Sequence, residues 1–126
     1  IMLRILVVDD EIDILETIVE SFELELEGKD VSISFTDLPR DALNMFSDGR
    51  HFDIVVTDLN MPLMNGFELS QKIRSMHKEI PIVVFTGHGG AIEFDKLKEI
   101  GVNTMINKPN IKALVESISQ KLQLLY

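Results

Sequence analysis

Cysteine and tryptophan are both absent from this 126-residue sequence, and tyrosine occurs once. Without cysteine there is neither a disulfide framework nor a thiolate metal site, and a reducing compartment is compatible with that lack. No apolar run approaches the roughly 18 residues that a membrane-spanning helix needs. The opening stretch "IMLRILVVDD" has a short apolar run, one arginine and no small-residue cleavage site, which makes a poor signal peptide. Ile1 stands before Met2, as in an excised fragment or a chain with an added residue, and nothing rests on it. Positive charge is scarce as well: 12 Lys and Arg against 21 Asp and Glu leave a net charge of −9. Phosphate backbones and anionic membranes are bound by basic patches, so neither is expected as a partner. Repeats, low-complexity tracts and Pro/Gly/Ser linkers are missing too. The expectation is one cytoplasmic domain, residues 1–126, of a usual size for a single core.

What is present alternates. Five short apolar runs recur: "LRILVV" (3–8), "VSISF" (31–35), "FDIVVT" (52–57), "IPIVVF" (80–85) and "VNTMIN" (102–107). They are rich in Val and Ile and show little strict alternation, the pattern of strands covered on both faces. Segments with helical spacing lie between them. Ile12, Leu15, Val19, Phe22 and Leu26 step by three and four, with Gly28 as a stop. Pro39 is suited to open a second helix, with Ala42, Leu43 and Phe46 on its buried side. Leu69, Ile73 and Met76 mark a third helix that starts near Gly66. Phe94, Leu97 and Ile100 mark a short fourth, ended by Gly101. Ile111, Leu114, Val115, Ile118, Leu122 and Leu125 mark the last, with Asn110 as its N-cap. The order is (βα)5. Right-handed crossovers between parallel strands put helices on both faces. The expected architecture is α/β, a three-layer flavodoxin-like sandwich around a five-stranded parallel sheet.

Function in such sheets gathers outside the carboxyl ends of the strands. Strand one ends in Asp9-Asp10, strand three in Asp58, strand four in Thr86-Gly87 and strand five in Lys108-Pro109. Three aspartates at neighbouring strand ends repel one another. A hard divalent cation such as Mg²⁺, which takes oxygen ligands and few carboxylates, relieves the repulsion. A backbone carbonyl just past Asp58 offers one more ligand. Lys108 adds a fixed cation and Thr86 a hydroxyl. Carboxylates, metal, lysine and hydroxyl make a site for a phosphoryl group, and an aspartate placed there can act as nucleophile and form an acyl phosphate. Each piece has a bland reading by itself: "DD" as a solvated turn, "KP" as a loop, Thr86 as a ladder residue, Asp58 as a helix cap. Their joint occurrence at four of five strand ends points to one site.

The residues "VVDDE", "DIVVTDLNMPLMNGFEL", "VVFTG" and "INKP" together resemble the receiver domains of two-component response regulators, along the whole chain. The resemblance implies that Asp58 is the phosphoacceptor. It makes Asp10 a direct Mg²⁺ ligand and Asp9 a ligand mainly through water, with Mn²⁺ as a substitute metal. It implies that the Asn60 backbone carbonyl completes the metal shell, that Thr86 is the switch hydroxyl, and that Lys108 pairs with the phosphoryl group. It also implies a cis bond between Lys108 and Pro109. The phosphoryl group would come from phosphohistidine on a histidine kinase or a histidine phosphotransfer protein. The fourth helix, fifth strand and fifth helix would form the switched surface, which could dimerise or dock an output domain or partner. Catalysis would be limited to the domain's own phosphorylation and slow autodephosphorylation.

The chain departs from the family at Met105, where many receivers carry Tyr or Phe, and Tyr126 stands too near the end to substitute. Methionine can fill that space but cannot donate a hydroxyl hydrogen bond. Gly87-His88-Gly89-Gly90 reads as a flexible loop, with His88 as a candidate for tuning phosphoryl lifetime. His51 and His77 read as surface residues. An aspartyl-nucleophile phosphatase would want a second aspartate where Asn60 stands. A flavin module would want a glycine- and hydroxyl-rich loop where the anionic "DDEID" stands. A degenerate receiver would lack part of the set Asp9, Asp10, Asp58, Thr86 and Lys108.

Overall fold

The protein is described by a computed structural model over residues 2–124; Ile1, Leu125 and Tyr126 lie outside the described residues. Ten elements alternate: β1 (Leu3–Val8), α1 (Ile12–Glu25), β2 (Val31–Thr36), α2 (Pro39–Ser47), β3 (Ile54–Thr57), α3 (Gly66–Met76), β4 (Ile82–Thr86), α4 (Ala91–Glu99), β5 (Thr104–Asn107) and α5 (Ile111–Lys121). The five strands form one parallel sheet in the order β2-β1-β3-β4-β5. That is the expected (βα)5 sandwich.

The core has two sides because strand side chains alternate between faces. Ile5, Val7, Ile54, Val56, Val83 and Phe85 point to the side covered by α1 and α5, where they meet Leu15, Ile18, Phe22, Leu114 and Ile118. Leu6, Val8, Val55, Ile82 and Val84 point to the other side, under α2, α3 and α4. Phe22 and Phe85 are wholly buried, and each contributes about 1.5–3 kcal/mol by leaving water.

Local signals set the helix ends. Asn65 and Asn110 cap α3 and α5, their side-chain oxygens accepting from the Glu68 and Ala113 amides at 2.9 and 3.1 Å. Pro39 sits at the first turn of α2. Gly28 and Gly101, with φ of +81° and +79°, turn the chain out after α1 and α4.

Three expectations change. Ile12 and Met76 are exposed, 55% and 42%, because each stands at a helix end, past the edge of the sheet it was expected to cover. Ile18, outside the expected stripe, is fully buried in its place. Only β1, β3 and β4 are covered on both faces; the edge strands β2 and β5 are mostly half-buried, and Phe35 is exposed. A continuous Val/Ile run therefore did not distinguish a central strand from an edge one.

Candidate functional site

The hydrophobic runs of β1 and β3 end together, because Val8 pairs with Thr57 in the parallel register. The next residues, Asp9 and Asp58, are pulled below the surface, and the Asp58 amide donates to the Val8 carbonyl at 3.2 Å. Asp9 is 1% exposed and Asp58 3%. Two buried carboxylates need compensation. Lys108, delivered by the end of β5, supplies it: Nζ lies 2.9 Å from Asp9 Oδ2 and 2.9 Å from Asp58 Oδ2. Its third carboxylate partner, Glu11 Oε1, is at 3.3 Å. Burial by itself would lower the Lys108 pKa; the hydrogen bonds and charges of Asp58 and Asp9 outweigh it and hold the ammonium above its ordinary value. Asp9 moves the other way from most ion-paired acids. Burial raises its pKa above 3.8 and overcomes the bonds it accepts from Lys108 and from the Glu11 amide.

The carboxylates of Asp9, Asp10 and Asp58 each bring an oxygen within 4.8 Å of the others. Asp10 Oδ1 is buried and has no hydrogen-bond partner. An anionic oxygen without a donor is costly. Beside two more carboxylates, it fits a hard cation that takes oxygen ligands. One lysine against four carboxylates also leaves this edge short of positive charge.

Thr86 ends β4 and is fully buried. Its carbonyl accepts from the Lys108 amide at 2.9 Å, which ties the fourth and fifth strand ends together. Its hydroxyl oxygen accepts from the His88 amide at 3.3 Å. The Lys108–Pro109 bond is cis. Asn60 is exposed on the loop after β3. His88 is exposed and shares with Asn60, Phe67 and Lys96 the lining of a cavity of about 310 Å³ between that loop and α4. His51 and His77 are exposed; His51 bonds Asp53 and His77 packs on Phe46.

Three residues at this edge were not assigned roles from sequence. Glu11 has no expected role beyond its negative charge, yet it reaches Lys108. Gly66 was read only as a helix start. A side chain there would run into the Asp58 carbonyl and the Leu59 Cα, so glycine lets α3 begin directly against the backbone that carries Asp58; the Gly66 amide then bonds the Leu59 carbonyl at 2.8 Å. Gly89 was read as part of a flexible loop. It is half-buried, and a side chain there would collide with Met105 and with Thr86 Cγ2.

The family model described as the response regulator receiver domain matches residues 5–119. The chain belongs to this family. The receiver domain is similar along its length to solved structures. The receiver domain of HemR from Leptospira biflexa is 29% identical with a TM-score of 0.84, covering 98% of this chain and 97% of that one. CheY4 of Vibrio cholerae, a chemotaxis response regulator, is 26% identical with a TM-score of 0.81, covering 96% and 99%. Among curated proteins, the sensor histidine kinase RcsC of Escherichia coli is 39% identical over 69 residues, 55% of this chain and 7% of the kinase. Chemotaxis protein CheY1 of Helicobacter pylori is 47% identical over 58 residues, 44% of this chain and 47% of that protein. The matched segment thus spans less than a tenth of the sensor kinase and about half of the chemotaxis protein. The receiver domain is a module of two-component signalling with a phosphorelay role. Among its described residues no helix is long and apolar enough to cross a membrane.

Proposed function

We propose that residues 1–126 form one cytoplasmic receiver that takes a phosphoryl group from phosphohistidine onto Asp58. The observation that carries this reading is the convergence of Asp58 with Lys108 and two further aspartates, one of them with an unpaired buried oxygen. The Asp58 carboxylate attacks phosphorus, the N–P bond of phosphohistidine breaks, and its electron pair stays on the imidazole. Lys108, now 2.9 Å from Asp58 Oδ2, moves its donor to a phosphoryl oxygen. Thr86 turns its hydroxyl to another. Asp9, Asp10, Asp58 and the Asn60 backbone carbonyl would hold Mg²⁺, or Mn²⁺ in its place. When bound, the cation supplies positive charge against the phosphoryl oxygens.

The donor would be a histidine kinase or a histidine phosphotransfer protein. The phosphorylated domain would shift a two-state equilibrium at the face of α4, β5 and α5, toward an output domain, a partner or a second copy. Chemistry is limited to its own phosphorylation and slow autodephosphorylation. The test is intact-mass measurement after incubation with acetyl phosphate and Mg²⁺. One phosphoryl group should be added, and none on Asp58→Asn or after chelation. Unlabelled wild type would overturn the reading.

A further inference from the structure

Receivers with an aromatic residue in place of Met105 couple that ring to the switch threonine, and this chain carries a methionine at that position. Around Thr86 the structure offers another arrangement. Thr86 is fully buried, and its hydroxyl oxygen faces back to its own loop, where it accepts from the His88 amide. Its methyl group faces the next residue of the same loop, Gly89. Met105 belongs to β5, beside the strand that carries Thr86. It reaches over the β4–α4 loop, and its Sδ and Cε stand with Thr86 Cγ2 around the one spot where residue 89 would carry a Cβ. Gly89 has an ordinary negative backbone φ, so glycine is needed there for room and not for conformation. The missing side chain is a notch, and the thioether fills it.

A threonine carries its hydroxyl and methyl on one Cβ, and χ1 turns both at once. Whatever holds the methyl therefore also aims the hydroxyl. We propose that Met105, seated in the notch left by Gly89, is the positioning residue for Thr86: it holds the methyl so that the hydroxyl stays withdrawn, and its departure lets the hydroxyl turn toward the phosphoryl group on Asp58. This rests on the reading of Asp58 as phosphoacceptor. Methionine suits the task because its three rotatable bonds give it several ways out of the notch. The aromatic ring swing is replaced by withdrawal of a flexible chain from a glycine.

Two measurements separate this pair from a passive packing role. In the free protein, scalar couplings to the Thr86 γ-methyl report its χ1. Wild type should keep one rotamer, and Met105→Ala should average over more than one. Affinity for beryllofluoride with Mg²⁺, a stable stand-in for the phosphoryl group, should rise about threefold or more in Met105→Ala, because the competent rotamer is already populated. The gain should vanish in a Thr86→Ser background, which keeps the hydroxyl and deletes the methyl. Met105→Leu, close in volume, carries the same test if the alanine variant does not fold. A single Thr86 rotamer in the Met105 variants, or a gain that persists in Thr86→Ser, overturns the proposal. Wild type that binds no beryllofluoride while Met105→Ala still frees the rotamer would instead overturn the phosphoacceptor reading and leave the positioning role standing.

Discussion

Lys108 and Arg74 are partly buried cations at opposite edges of the sheet, and the two are treated in opposite ways. At the carboxyl edge Lys108 meets only carboxylates: Asp9, Asp58 and Glu11. At the amino edge Arg74, on the last turn of α3, meets only backbone carbonyls. Its guanidinium donates to Ile80 at 2.7 Å, to Ile100 at 2.9 Å, and to His77, Lys78 and Gly101 at 3.1–3.3 Å. Burial lowers the Arg74 pKa, because neutral carbonyls do not answer its charge as carboxylates answer that of Lys108. Five carbonyls on one planar fork pin the loops before β4 and β5 in place. They complete the arginine and leave no room for other chemistry. Three carboxylates on one lysine, with Asp10 beside them, leave negative charge over, which a cation can use. One edge is closed by neutral acceptors; the other keeps unbalanced charge and an oxygen without a donor.

That contrast can be broken first at Lys108. Lys108→Met leaves Asp9 and Asp58 buried without their cation, and should cost about 3–5 kcal/mol in denaturant unfolding without divalent metal. A loss under 1 kcal/mol, on the scale of an exposed pair, would mean that the carboxyl edge is not strained by its charge. Metal should sharpen the contrast next. Mg²⁺ at about a hundred times its dissociation constant should stabilise the protein by about 2.7 kcal/mol, and Asp10→Asn should remove most of this.

The pH dependence of that gain follows from Asp9. Its folded pKa is raised above 3.8, so the ion-free folded state holds a proton that the unfolded chain has lost. Ion-free stability therefore falls as pH rises from about 3.8 through the raised value. The metal must displace that proton at low pH, so the melting-temperature gain should be small near about pH 4 and full near about pH 8. A gain that is flat across this range would remove Asp9 from the metal site.

The amino edge should answer differently. Arg74→Met strands several carbonyls and should cost about 2 kcal/mol, with the labelling of Asp58 by acetyl phosphate unchanged. Loss of labelling in folded protein would show that the edges are coupled. The smallest effect belongs to Ser70 on α3, fully buried with an unpaired hydroxyl. Ser70→Ala should be neutral or stabilising by up to about 1 kcal/mol, because it removes an unmet polar group; a loss of that size in thermal melts would mean that the hydroxyl has a partner.

Much of this was legible in the chain. Ile54-Val55-Val56 followed by Asp58 reads as a buried strand that ends in a charge, because apolar burial and a strand end are both local patterns. Asp9, Asp10 and Lys108 could be added since a (βα)5 order places every strand's end on one edge. Arg74 gave no such signal: its partners are carbonyls, which every residue has, and five of them converge only after the chain has closed two loops. Glu11 was visible as a third acid but not as a partner of a lysine 97 residues away. Gly66 and Gly89 looked like helix start and loop because the atoms they make room for lie on other elements.

The sequence by itself determined the alternation of strands and helices, the acidic balance, and which side chains stand at the carboxyl ends. Those depend on period, propensity and order, all of which are properties of neighbours along the chain. The tertiary structure decided what the charges do to one another. Pairing Val8 with Thr57 buries two aspartates side by side, β5 brings one lysine between them, and Asp10 keeps an oxygen with no donor. It also set Met105 into the space above Gly89. Excluded volume and desolvation act between atoms in contact, and only the fold says which atoms those are.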